Sequence, residues 1–229
     1  FENIKKNYKY KINVSHNNSP EANIVWESPI KILAVKPQQL KTINEICFND
    51  SKRDILISVL AGVSLNKLTK TFPKHNCIRV VTNIPITIGH GLTGISWGNE
   101  VDEKSKIFIK NIFEKSSKVF ELSEEYLDIF LALTSSAPAI IALIIESLGD
   151  GGLSGGLSKK LSEELVIEMI LGTVLMLKKS KLSPSDLRNM VTSPAGTTIS
   201  ALRILEKKGL RSALMESIIE AMNKSKEFR

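Results

Sequence analysis

The chain changes its hydrophobic grammar once, and that change limits the folds open to it. From Tyr10 to about Ile95, short apolar runs alternate with polar stretches, whereas from Ser123 onward apolar residues recur at helical spacing. PIKILAVKP (29–37), DILISVLAG (54–62) and CIRVVTNIP (77–85) each read as a buried strand closed by proline or glycine. QQLKTINEICF and VSLNKLTKTF lie between them and are compatible with helix. Strands alternating with helices predict a parallel sheet covered by helices. Ligands of such sheets bind beyond the carboxyl ends of the strands, where Lys36, Gly62 and Asn83 fall.

The second half predicts helices only. One begins at Ser123 as a cap and runs to the glycines near 149–152, and a second covers SKKLSEELVIEMILGTVLMLKKS. Ser183, Pro184 and Asp186 have the spacing of a capped start with a capping-box contact. Two further helices follow, one after Thr198 that stops at Gly209 and one from Arg211 to about Lys226. The break between the two grammars lies near residues 96–105.

Of the 229 residues 42% are hydrophobic and 24% charged, which is the balance of a soluble globular protein. The net charge of +7 comes from lysines scattered along the chain rather than gathered with aromatics, so it does not point to nucleic acid. Cys47 and Cys77 lack CxxC spacing and imply a reducing, cytoplasmic compartment. His75 and Cys77 alone are too few ligands for a metal. The chain opens on Phe1 without a signal-like leader and reads as truncated.

Three conspicuous stretches carry little. Ile129–Ile145 is largely apolar but short for a membrane span, and Thr134, Ser135, Ser136 and Pro138 interrupt it. It reads as a helix buried on all sides, of the kind found at subunit interfaces. Gly89, Gly91 and Gly94 match GxGxxG, yet no helix opens at the Ser96-Trp97-Gly98-Asn99 that follows, so they are not a dinucleotide fingerprint. GDGGLSGG (149–156) lacks the lysine of a P-loop and reads as a loop between helices.

VTSPAGTT (191–198) stands directly against the helix marked by Ile199, Leu202 and Leu205. The first amides of a helix have no partner within it, and the aligned peptide dipoles leave partial positive charge there. A carboxylate or phosphate suits such a site. Gly196 permits close approach of a ligand to the backbone, and Thr197 and Thr198 add hydroxyls. Local composition alone favours the plainer reading, capping by Thr197 or Thr198.

Taken in order, LAVKPQ (33–38), ISVLAGVSL (57–65), RVVTNIPITIGHG (79–91), SSAPA (135–139), DGG (150–152) and VTSPAGTT (191–198) resemble the blocks of the pyrroline-5-carboxylate reductase family. The ending LEKKGLRSALMESIIEAMNKSKE is similar to that family's final helix pair. The resemblance implies an α/β Rossmann-like N-terminal domain, its first strands missing, followed by an all-α C-terminal dimerisation domain. It divides the chain into a partial dinucleotide-binding domain (1–98) and an all-helical substrate-binding and dimerisation domain (99–229). The family's glycine-rich turn after the first strand is absent, so the chain reads as lacking about thirty residues, the size of one βαβ unit.

The resemblance also implies the chemistry. An NAD(P)H-dependent enzyme would transfer hydride to the C=N carbon of 1-pyrroline-5-carboxylate and yield L-proline, the last step of proline biosynthesis. Ala34, Val35, Lys36 and Pro37 would border the cofactor, NADPH or NADH, together with Val59, Leu60, Ala61 and Asn83. The amides of Gly196, Thr197 and Thr198 would hold the substrate carboxylate, with the Thr198 hydroxyl relaying a proton to the ring nitrogen and Ser193 in support. A small-molecule substrate and a homo-oligomer, dimer or higher, are implied, with no metal, nucleic acid or membrane.

The chain departs from the family at Ala137, where SSAPA replaces GSGPA, and at Ala195, where SPAGTT replaces SPGGTT; Thr82 stands where a proline is common. Two other readings compete: an altered-substrate relative such as a hydroxy-acid dehydrogenase, which would use a lysine acid absent from these motifs, and a non-catalytic relative that binds a small carboxylate.

Overall fold

The computed structural model describes residues 27–40, 42–43 and 54–227. Cys47 and most of the helix expected over 38–48 lie outside them. The chain divides into two compact units, 1–131 with 222–229, and 132–221.

The first unit is built on five strands in the order β1 (Ile30–Leu33), β2 (Ile55–Ser58), β3 (Asn76–Thr82), β4 (Gly91–Trp97) and β5 (Ser117–Glu121). β1, β2 and β3 run parallel, β4 is antiparallel to β3, and β5 is parallel to β4. The first three strands occupy the three apolar runs of the sequence. Residues 99–121, grouped with the helical half by sequence, instead supply helix α2 (Glu103–Glu114) and β5 to the sheet unit. Leu56, Leu68, Phe72 and Cys77 build one core, with α1 (Leu65–Thr71) contributing Leu68. Ile57, Ile78, Val80, Ile95 and Ile109 build the other, Ile109 coming from α2. Alternate residues of β2 thus enter different cores, as the twofold period of a strand requires.

β4 was not legible as a strand because Gly91 and Gly94 break its apolar run and drew it into a GxGxxG pattern. Each glycine makes room for a neighbour: a Cβ at Gly94 would lie 2.9 Å from Phe130, and one at Gly91 would lie 2.7 Å from Ile86 Cβ. Gly89 closes the short 3₁₀ turn Ile84–Ile88 with φ of 74°, so the GxGxxG glycines open no helix.

Beyond β5 come a 3₁₀ turn (Glu124–Tyr126) and α3 (Leu127–Leu131). Ser123 takes the cap position of that turn without a side-chain hydrogen bond. The second unit begins with a π-helical turn, Ala132–Ser136, before α4 (Ala137–Ser154). Pro138 accounts for the widened turn, since its ring would clash with the carbonyl four residues back.

α5 (Lys159–Lys179), α6 (Pro184–Met190), α7 (Thr197–Lys207) and α8 (Leu210–Glu227) follow. α6 opens with the expected capping box between Ser183 and Asp186. The GDGG stretch is not the expected loop, for α4 runs through it to Ser154. Its glycines let α5 approach closely, with Glu163 Cγ 3.3 Å from a Cβ at Gly149 and Ser162 Oγ 2.7 Å from one at Gly152.

The second unit has almost no apolar core of its own. Ala132 and Leu187 are its buried apolar side chains among the described residues, while Leu143, Leu165, Ile167 and Met169 are 50% exposed or more. The apolar stretch expected to be buried on all sides is therefore open in the single chain: Ile141 is 46% and Leu143 61% exposed. Among the described residues one stretch, Glu124–Ser154, is long and apolar enough to cross a membrane.

Candidate active site

In the first unit, the residues expected at the cofactor converge on one edge of the sheet. Ala34–Pro37 leave the carboxyl end of β1, Val59–Ala61 that of β2, and Asn83 that of β3. Ala34, Lys36 and Ala61 are exposed, whereas Val35, Pro37 and Val59 are half-buried. Leu60 differs from its neighbours, since its side chain is 2% exposed and packs into the core with Leu56 and Leu68. It can present only backbone to a ligand. Gly62 turns the chain with φ of 70°, which lets the loop after β2 reverse sharply into α1.

Asn83 is 8% exposed, and its Oδ1 accepts the amide of Leu92 at 2.8 Å. This bond ties the end of β3 to the start of β4 across the exposed turn that carries Ile84 and Ile88. Below the edge, Thr93 Oγ1 lies 2.7 Å from Ser117 Oγ and 3.3 Å from Thr82 Oγ1, a row of hydroxyls across three strands. Ala34 and Ala61 are small and exposed beside the sharp turn at Gly62, a lining compatible with a flat ring.

In the second unit, residues 193–198 form one tight turn that feeds α7. Gly196 is the helix cap residue and Thr197 the first helical residue, and no side chain caps the first turn. Ser64, Asp102, Ser158 and Ser183 each accept a first-turn amide of α1, α2, α5 and α6, respectively. Capping by Thr197 or Thr198 is thus not what these threonines do, because both lie within the helix rather than ahead of it. Thr198 and Gly196 are half-buried, and Ser193 and Thr197 exposed.

Two further features shape the turn. Ala195 has φ of 56°, the one positive value among described residues other than glycine. A Cβ on Gly196 would collide with Ser193 Oγ, so any larger residue there would have to push that hydroxyl aside. The Ser193 hydroxyl therefore lies against the backbone that leads into the uncapped amides.

The buried Cys77 thiol is not available for chemistry: desolvation by burial pushes its pKa up to about 11, against a smaller lowering by a hydrogen bond with Thr69. Among the described residues no group of three or more His, Cys, Asp or Glu side chains could hold a metal ion.

Sequence reasoning missed Glu124, whose Oε1 accepts the amide of Leu65 at 2.7 Å at the start of α1. It also missed the two residues behind it, Arg79 and Asp128, both fully buried. No local pattern signals a contact made across 59 residues of chain.

Comparison with known proteins adds an independent line. Residues 124–228 match the family model described as pyrroline-5-carboxylate reductase dimerisation. The chain is 38% identical to the pyrroline-5-carboxylate reductase of Synechocystis sp. over 219 residues, covering 96% of this chain and 81% of the relative. It is 35% identical to the Arabidopsis thaliana enzyme of the same name, covering 92% and 76%. Among solved structures it is similar to the Plasmodium falciparum pyrroline carboxylate reductase with NADP bound, with a TM-score of 0.81 and 31% identity over 86% of this chain and 80% of that one. The Streptococcus pyogenes 1-pyrroline-5-carboxylate reductase gives 0.84 and 28% identity over 90% and 79%.

Proposed function

This chain belongs to the pyrroline-5-carboxylate reductase family, and we infer from that membership an oxidoreductase that reduces the C=N bond of 1-pyrroline-5-carboxylate to give L-proline, with NAD(P)H as reductant. Within it, Ala34–Pro37, the backbone of Val59–Ala61 and Asn83 hold the nicotinamide half of the cofactor. When bound, the dihydronicotinamide supplies the hydride.

The turn at 193–198 receives the substrate carboxylate. The amides of Thr197 and Thr198 open α7, where the helix dipole favours an anion, while the Gly196 amide donates to the Ser193 carbonyl at 3.2 Å and that glycine gives the acid room beside the backbone. The observation that carries this reading is the missing side-chain cap on α7, beside four helices whose first amides are capped. A bound carboxylate would take the place of that cap.

Thr198 is the residue assigned to the reacting centre. Its hydroxyl hydrogen-bonds the ring nitrogen and relays the proton that the nitrogen gains, and Ser193 supports the turn from behind Gly196. A protonated imine is already electrophilic, so the protein's main task is to align donor and acceptor.

Division of labour follows the two units: the sheet holds the nucleotide, while the helices hold the acid and mediate assembly. The apolar residues of α4 and α5 need a partner surface, and the match of 124–228 to a dimerisation model makes that partner a second copy, with a dimer the smallest assembly. A cytoplasmic enzyme acting on a small molecule, with no part for nucleic acid or a membrane, completes the proposal.

The test is reduction of the imine by the full-length protein with NADPH and with NADH, followed by the absorbance of the reduced nicotinamide. Thr198→Val should preserve the fold and lower turnover by about 10²-fold. Unchanged turnover would remove Thr198 from the chemistry; activity on a hydroxy acid but not on the imine would favour the altered-substrate relative.

A further inference from the structure

The loop that brings Val59, Leu60 and Ala61 to the edge of the sheet is held at both ends. At its start, Ser58 Oγ accepts the amide of Leu60 at 3.4 Å. At its far end, the amide of Leu65 donates to Glu124 Oε1 at 2.7 Å. Ser64 already accepts another amide of the same turn, from Lys67, so Glu124 satisfies a different one.

What holds Glu124 in place is a buried arginine. Arg79 Nη1 donates to Glu124 Oε1 at 3.1 Å, and Nη2 to Asp128 Oδ1 at 3.2 Å. A guanidinium held at both arms of a planar fork has little freedom to swing. Asp128 Oδ1 also accepts the Ser225 hydroxyl at 3.0 Å, which adds the last turn of α8 to the network. Arg79 and Asp128 are 0% exposed and Ser225 is 4% exposed, whereas the Glu124 side chain keeps 27%.

Register gives the network its direction. Arg79 lies opposite Ser58, the last residue of β2, and four residues before Asn83 on β3. The network therefore sits directly beneath two of the three strand ends that carry cofactor contacts.

We infer that Glu124 is a positioning residue for the cofactor loop, held by Arg79 and Asp128, and that Ser225 couples the end of the chain to it. The inference rests on the reading of this edge as the nucleotide site. Glu124 acts by fixing where α1 begins, and with it the path of residues 59–64.

The test is a fluorescence titration of the full-length protein with NADPH in the absence of imine, alongside thermal melting and the KM and kcat for NADPH. Glu124→Ala frees the Leu65 amide and should weaken NADPH binding roughly tenfold, the scale of one lost charged hydrogen bond. kcat at saturating cofactor should stay within about twofold, because the reacting groups are untouched. Glu124→Gln keeps an oxygen for Leu65 and should recover part of the affinity, and Ser225→Ala should weaken binding less than Glu124→Ala.

A Glu124→Ala protein that melts lower but binds NADPH like the wild type would overturn the inference, since a purely structural residue behaves that way. Should that variant not fold, Glu124→Met, which fills the same space without an oxygen for the Leu65 amide, decides, and binding equal to wild type counts against the proposal. A wild-type protein that binds neither NADPH nor NADH would overturn the cofactor reading as well, which separates the two failures.

Discussion

Arg79 Nη2 and Asp128 Oδ1 meet at 3.2 Å with no solvent exposure on either side chain. One residue lies in the middle of β3 and the other on α3, so the pair fastens a helix to the sheet. Asp128→Ala leaves the buried Arg79 paired on one arm alone, with Glu124, and takes the acceptor from Ser225, so it should destabilise the protein by about 1–3 kcal/mol. Replacing both at once, Arg79→Met with Asp128→Leu, removes the desolvation penalty along with the attraction and should cost far less. Urea unfolding of the single and double variants measures the difference; equal losses would show that the pair does not act as a unit.

That pair also marks where the sequence stops being legible. The three apolar runs before residue 85 were readable because parallel strands buried on both faces need no partner to declare themselves. The capping box at Ser183 and the stop at Gly209, with its φ of 72°, were readable because their causes lie within four residues. Arg79 in RVVT reads as an ordinary polar break in a strand; Glu124 and Asp128, 45 and 49 residues later, make its burial possible. β4 was hidden because its glycines answer to Phe130 and Ile86, and the helical GDGG because its glycines answer to Ser162 and Glu163. At the candidate site, a small polar turn feeding a helix was legible from composition, but neither the missing side-chain cap nor the left-handed conformation at Ala195 has a local signal.

Cys77 gives a prediction in pH. Its thiol titrates near 11 in the folded protein against 9.0 ordinarily, so on raising the pH the unfolded chain loses this proton first. Stability from this group is therefore constant below about pH 9 and falls as the pH rises from there towards 11. In a Cys47→Ser background, a thiol reagent at pH 8 should leave the folded protein unmodified and label it once urea unfolds it. Rapid labelling without denaturant would show that the thiol is not held in the core.

Leu165, Met169 and Met176 share one face of α5 and are 51%, 51% and 44% exposed. Three large apolar side chains on one face of a helix have no reason to meet water unless another surface covers them. Leu165→Glu should shift the assembly towards monomer in sedimentation, because a carboxylate without a partner is costly to bury. An unchanged sedimentation coefficient would place the interface on another face of these helices.

The turn ahead of α7 allows the sharpest separation of strain from function. Ala195 at φ 56° carries a penalty of about 1–2 kcal/mol that glycine would not. Glycine also adds freedom to the unfolded chain, which takes back about 0.4–1 kcal/mol. Ala195→Gly should therefore raise the unfolding free energy by no more than about 1.6 kcal/mol, whereas a β-branched Ala195→Val should lower it. Gly196→Ala works differently, since its backbone is extended and the obstacle is the Ser193 hydroxyl against the new methyl group. This variant should fold, because the turn is mostly exposed, yet raise the KM for the imine by displacing the amides proposed to receive its carboxylate. Adding Ser193→Ala to Gly196→Ala removes the colliding oxygen and should restore much of the lost affinity. If the double variant is no better than the single one, the contact between Ser193 and Gly196 does not set the position of those amides.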